Sequence, residues 1–227
     1  MVTGTFGASR CGQGAFDVKR RGSYISPMID GQIRKFTDPL YARAADALAW
    51  RDVRQSRIVV LAFVMCVAAV PAIVTGHYIV ALVLIALGRS VDGLGDAVKR
   101  QTRATDLGDF LDVALEYIYC AAIPFAFALA DPTRALAACF FIFAFTVSAA
   151  TFLAYTRFAA RRGLDTRAVQ GPMHLAGLTD GAAAFIAFAI ACIHPEWFGI
   201  VAYVFGVVCF VSAGFRVAAA LADFPEQ

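Results

Sequence analysis

Six apolar runs follow one another between residues 58 and 220, each close to the ~20 residues a helix needs to cross the hydrocarbon of a bilayer. They cover about 58–75, 77–101, 106–130, 134–159, 174–193 and 197–220. A backbone facing lipid must satisfy its own hydrogen bonds, and none of these runs alternates with the two-residue period of a barrel strand. The chain is therefore expected to be all-α, a polytopic membrane protein of six transmembrane helices. Its composition agrees, with 60% hydrophobic and only 16% charged residues. A net charge of +3 without any block of five like charges excludes a nucleic-acid-binding protein.

The connections alternate in charge, and this sets an orientation. Thr75-Gly76-His77, Asp131-Pro132-Thr133 and His194-Pro195-Glu196 carry no Lys or Arg. Lys99, Arg100 and Arg103 fall in one of the other connections, and Arg157, Arg161, Arg162 and Arg167 in or beside another. Arg51, Arg54 and Arg57 precede the first run, and Arg216 lies near the end of the last. The positive-inside rule then puts both termini and both basic connections in the cytoplasm, as expected for a multi-pass protein of the inner (cytoplasmic) membrane.

Residues 1–37 form a polar, basic, Gly-rich segment, and residues 38–227 the membrane domain. From Asp38 to about Gln55, apolar Tyr41, Ala44, Ala45 and Leu48 recur at helical spacing opposite Arg43, Asp46 and Arg54, which predicts an amphipathic helix in the membrane interface. The first 45 residues lack the apolar core of a signal peptide, so the first span is expected to target the chain. Five of the six cysteines, Cys66, Cys120, Cys139, Cys192 and Cys209, lie inside apolar runs without C-x-x-C spacing and read as small hydrophobes. Pro71 and Pro124 are expected to bend their spans, and Gly199, Gly206 and Gly214 to let the last span pack closely.

The acids are placed less evenly. Asp92, Asp96, Asp109, Asp112 and Glu116 cluster at the junction of the second and third runs, with Asp106 between them. A carboxylate at the bilayer centre costs about 2.5–3.5 kcal/mol on insertion scales, and less near the interface, which makes such residues functional candidates. Asp92 and Asp96 are four residues apart, as are Asp112 and Glu116, so each pair lies about 40° apart on one helix face. A short turn makes the two helices antiparallel neighbours, and facing carboxylates repel unless a cation separates them. Oxygen-only ligands suit Mg2+, Mn2+ or Ca2+. Gly93, Gly95 and Gly108 interleave with these acids and leave room for a ligand at the backbone. Arg89, Lys99, Arg100 and Arg103 add a basic rim, so the constellation describes a metal and diphosphate site at the cytoplasmic surface.

Asp92-Gly-Leu-Gly-Asp-Ala-Val-Lys-Arg100, with Thr105-Asp-Leu-Gly-Asp-Phe-Leu-Asp112 and Glu116 downstream, resembles the signature of the CDP-alcohol phosphatidyltransferase family, D-x-x-D-G-x-x-A-R then G-x-x-x-D-x-x-x-D. Gly177-Leu-Thr-Asp-Gly181 is similar to a further stretch of one subgroup. The resemblance implies six spans, a homodimer, and an enzyme that moves a substituted phosphate from a CDP-alcohol such as CDP-diacylglycerol to an acceptor hydroxyl with release of CMP, in phospholipid synthesis. It implies two divalent ions, Mg2+ or Mn2+, held by Asp92, Asp96, Asp112 and Glu116, with Glu116 also the general base. Gly93, Gly95 and Gly108 would border the nucleotide and Arg100 would hold the diphosphate. Arg157, Arg162 and Arg216, with Asp180, are candidates to contact the acceptor; the arginines equally suit cytoplasmic anchors.

Three departures stand out. Gly95-Asp96 reverses the expected Asp-Gly, Lys99 replaces alanine, and Glu116 replaces the fourth aspartate. The reversal turns the second acid by about 100° around its helix. A catalytically impaired homologue, binding nucleotide or lipid or regulating a partner, is the alternative expectation.

Overall fold

The computed structural model describes residues 55–101, 105–163 and 181–224. These form six helices: α1 (Gln55–Val74), α2 (Tyr78–Gln101), α3 (Asp106–Ala130), α4 (Ala135–Arg161), α5 (Gly181–Ile193) and α6 (Phe198–Asp223). Five of them, all but α5, are long and apolar enough to cross a membrane. The described part of α5 is a 13-residue apolar helix, so most of the first half of the expected fifth span lies outside the described residues. The expected interfacial helix before Gln55 lies outside them as well.

The turns follow from local chemistry. Between α1 and α2, Gly76 takes a φ of +79°, a left-handed conformation that costs glycine little, and His77 N–H donates to the Ala72 carbonyl at 2.8 Å. Thr105 caps α3, its hydroxyl oxygen accepting the Gly108 N–H at 3.1 Å, and Asp106 and Asp109 in the first turn complement the helix dipole. Between α3 and α4, Asp131 accepts from the Thr133 hydroxyl at 2.7 Å and the Thr133 N–H at 3.0 Å. Those bonds, with Arg134 beside them, hold the Asp131 carboxyl below the usual aspartate range.

Within lipid the helices gain little from hydrophobic burial and associate by close packing. α1 packs on both α2 and α3; α4 packs on α6 and α3; α5 rests against α2 and α6. Stacked rings join the far ends, Phe127 on Phe198 with centroids 4.4 Å apart and Phe141 on Phe205 at 4.5 Å. Each such pair adds about 0.5–1.5 kcal/mol beyond its buried area. Leu136, Ile200 and Leu221 are among many large apolar side chains left exposed, as a lipid-facing surface requires.

Two expectations change. α2 and α3 are chain neighbours, yet among the described residues they make little close backbone contact; α1 lies against both, and their acidic ends are splayed apart. Of the three glycines expected to tighten α6, only Gly206 is enclosed among the described residues: a Cβ there would strike the Phe140 ring, whereas at Gly199 or Gly214 it would meet none of them within 4 Å. Gly206→Ala is therefore expected to cost about 1–3 kcal/mol of stability by overpacking. Gly214→Ala should instead gain up to ~1 kcal/mol of helix propensity. Thermal unfolding of the two variants in detergent, compared with the parent chain, measures both signs.

Candidate functional site

Where α1, α2 and α3 converge, the splayed acidic ends leave a cleft containing a cavity of ≈ 20 Å³, room for about one water or small ion. Val59, Ala62, Phe63 and Cys66 of α1 form its apolar floor. Gly88, Arg89 and Asp92 come from α2, and Asp112, Leu115, Glu116 and Tyr119 from α3. Gly88 is what lets α1 approach, because a Cβ there would collide with Cys66 Sγ and sit 3.0 Å from the Ala62 carbonyl oxygen.

The charged groups form two bridged sets across the cleft. Arg89 Nη1 donates to Asp92 Oδ2 at 2.8 Å on its own helix and lies 3.4 Å from Glu116 Oε1 on α3. Lys99 Nζ lies 2.7 Å from Asp109 Oδ1 and 3.7 Å from Asp112 Oδ2, also on α3. Arg89, Asp92, Lys99, Asp112 and Glu116 are all partly buried, while Asp109 is half exposed. Paired charges of this kind are held more firmly than exposed ones because water screens them less. At the cleft floor the Tyr119 hydroxyl is buried without a hydrogen-bond partner among the described residues.

Not every expected residue faces this cleft. Asp92, Asp112 and Glu116 line it together, but Asp96 is exposed and outside the lining. The reversed Gly95-Asp96 order has a packing reason. Position 95 is buried against α1, where an added Cβ would lie 3.4 Å from Ile58 Cγ2, so an aspartate there would drive its carboxylate into apolar side chains. Gly95 therefore opens α2 to α1 and does not face the cleft. Gly108 sits at the start of α3 against the Gln55 side chain, and Gly93 is half-buried on α2. Arg100 is on the last turn of α2, with its side chain outside the described residues, as is Asp180 entirely.

The arginines proposed for the acceptor divide. Arg157 is exposed on α4. Arg162 donates to the Asp223 carbonyl at 3.3 Å and lies over the Phe224 ring, clasping the end of α6. Arg216 is buried between α4 and α6, donating to the Ser148 carbonyl at 2.9 Å and hydroxyl at 2.8 Å, with its guanidinium over Phe152. Sequence reasoning missed Gly88 and Cys66, which carry no local signal. The Arg89–Asp92 pair did have one, its i, i+3 spacing.

As a donor set, carboxylate oxygens alone suit a hard divalent ion. Among the described residues no group of three or more His, Cys, Asp or Glu side chains converges closely enough to hold one, and Arg89 and Lys99 stand beside the acids.

Among the described residues, five helices of membrane-crossing length, three of them framing a charged cleft, define an all-helical integral membrane protein. No protein-family model matches the chain. It is 34% identical over 193 residues to Inner membrane protein YnjF of Escherichia coli (strain K12), an alignment covering 84% of this chain and 94% of that protein. The chain belongs to the same family as YnjF and is an integral inner membrane protein.

Proposed function

We propose that this protein is a CDP-alcohol phosphatidyltransferase, transferring a substituted phosphate from a CDP-linked lipid or alcohol to an acceptor hydroxyl and releasing CMP. The observation that carries the reading is that Asp92, Asp112 and Glu116, the three acids in register with the resembled signature, line one cleft from two helices. By the resemblance, Asp92, Asp96, Asp112 and Glu116 are the residues that would hold a divalent ion, Mg2+ or Mn2+; as they stand, Arg89 and Lys99 pair with Asp92, Glu116 and Asp112, and no three acids converge on one point among the described residues. When bound, such an ion neutralises diphosphate charge and favours departure of the CMP oxygen.

The chain's own groups supply the rest. The acceptor oxygen forms its bond to the phosphorus distal to the cytidine as the bond from that phosphorus to CMP breaks, and Glu116 takes the acceptor's proton. Arg89, 2.8 Å from Asp92 and 3.4 Å from Glu116, orients both carboxylates. Arg100 is placed by the resemblance at the diphosphate, with Gly93 and Gly108 beside the nucleotide. The burial of Arg216 and the clasp made by Arg162 support helix anchoring for these two, leaving Arg157 and Asp180 as the acceptor candidates. The charge pattern of the connections supports cytoplasmic termini and a cytoplasmic cleft, and the resemblance supports a homodimer with two ions per chain.

A second reading, an impaired homologue that binds nucleotide or lipid, is favoured by one observation: basic side chains bridge the acids in both sets. CMP release decides between them. Purified full-length protein with CDP-diacylglycerol, a panel of alcohol acceptors and Mg2+ or Mn2+ is expected to release CMP, and Asp112→Asn to stop it. No release with any acceptor, beside an active phosphatidyltransferase assayed in parallel, would leave the second reading standing.

A further inference from the structure

The outer side of the α1–α3 pair, turned away from the cleft, carries a groove of ≈ 530 Å³. Sites that hold small molecules commonly measure ~300–1,000 Å³. One helix separates groove from cleft. Val59, Ala62 and Phe63 of α1 line the cleft, while Val60, Leu61 and Val64 line the groove, opposite Leu107 and Leu111 of α3. Leu61, Val64 and Leu107 are each more than half exposed among the described residues.

Direction and polarity narrow the occupant. The lining extends from Ser56 to Val64 of α1, just over two turns or about 12 Å, so the groove follows a helix of membrane-crossing length. Acyl chains of a bilayer run the same way, whereas a helix lying in the membrane interface would cross the groove and not fill it. The walls are apolar up to the end of the span, where Ser56 and Arg57 stand. Among the described residues Arg57 is the only charged side chain of the lining, and it is exposed; Asp106, beside Leu107, is exposed and outside the lining. No described acid pairs with Arg57. A guanidinium presents planar, paired donors that match a phosphate. The described lining has no carboxylate to hold the ammonium of a zwitterionic headgroup, which favours a net anionic one.

We infer that the outer groove between α1 and α3 binds an anionic phospholipid, with an acyl chain against Leu61, Val64 and Leu111 and its phosphate on Arg57. The lipid completes the outer side of the helix contact whose inner side is the cleft. Such binding is independent of the chemistry proposed for the cleft.

Delipidated full-length protein in detergent, titrated with phosphatidylglycerol or with phosphatidylcholine of the same chains, tests this by native mass spectrometry and thermal unfolding. Phosphatidylglycerol is expected to bind about five- to tenfold more tightly, the effect of one basic residue at headgroup level, and to raise the melting temperature. Arg57→Ala should erase the preference and Arg57→Lys should keep part of it. Arg161→Ala, which removes an exposed arginine at the end of α4 outside the groove, should leave it unchanged. Leu61→Trp, which fills the groove, should weaken binding of both lipids. Arg57→Ala alters an exposed side chain, so the preference is readable even where Leu61→Trp does not fold. Equal binding of the two lipids by the parent overturns the assignment. So does a preference lost as readily in Arg161→Ala as in Arg57→Ala, which would mean diffuse interfacial charge, or a folded Leu61→Trp protein that binds lipid like the parent. Two other occupants would also overturn it. A dimer of the parent that Leu61→Trp dissolves, with lipid binding unchanged, would put a second copy in the groove. A high-yield disulfide in a Leu48→Cys, Leu61→Cys protein would put the segment preceding α1 there.

Discussion

In the Glu116→Gln variant, the CMP release of the proposed transferase is expected to fall by about 10²–10⁴-fold, the range lost when a positioned general base, the role proposed for Glu116, is removed. Glu116 lies one turn along α3 from Asp112, lines the same cleft, and has Oε1 3.4 Å from Arg89. Glutamine keeps the size and the hydrogen-bonding reach of the side chain but cannot take the acceptor's proton. The loss should therefore appear in kcat, with KM for the CDP-alcohol changed little. Glu116→Asp, which restores the carboxylate one methylene short, is expected to recover part of the rate. Steady-state kinetics of the three proteins, each checked for the parent's melting temperature, measure this. A Glu116→Gln protein as fast as the parent would remove Glu116 from the chemistry.

Gly88→Ala should destabilise the fold by about 1–3 kcal/mol, the usual cost of forcing volume into a packed contact. A Cβ at Gly88 would collide with Cys66 Sγ and lie 3.0 Å from the Ala62 carbonyl oxygen, so α1 and α2 must separate to admit it. Because Gly88 adjoins Arg89 and both line the cleft, the separation would also displace the Arg89–Glu116 bridge. Cys66→Ala removes the sulfur and leaves the carbonyl, so the double variant should recover part of the stability and the two effects should be non-additive. Larger residues at 88 should be worse. Thermal unfolding across this double-mutant cycle gives the coupling directly, and strictly additive losses would mean that the two residues do not share the contact.

Much of the architecture was legible in the chain because the membrane restricts it so severely. The runs expected at about 106–130 and 134–159 became Asp106–Ala130 and Ala135–Arg161. In the structure Thr105 caps the first of these helices, and Asp131-Pro132 follows its last residue. The acids were legible as faces, since spacing along one helix is a local property. Their partners were not. Lys99 meeting Asp109 and Asp112, and Arg89 meeting Glu116, depend on how far apart α2 and α3 stand, which α1 sets. Glycines were read poorly for the same reason. Gly95 serves a helix contact, Gly206 does so while Gly199 and Gly214 do not, and Gly88 attracted no notice although it adjoins the cleft.

The sequence by itself determined that the chain is helical, where five membrane-crossing helices lie, and that its carboxylates gather at one junction. The reason is that a backbone in lipid has no hydrogen-bond partner but itself, so apolar length and local capping settle each span independently. Only the tertiary structure decided which side of each helix meets which neighbour. Lipid is as apolar as the side chains it touches, so close fit selects the contacts in place of a hydrophobic stripe. That fit buries Gly95 against α1, turns Asp96 outward, and leaves Lys99 poised between Asp109 and Asp112.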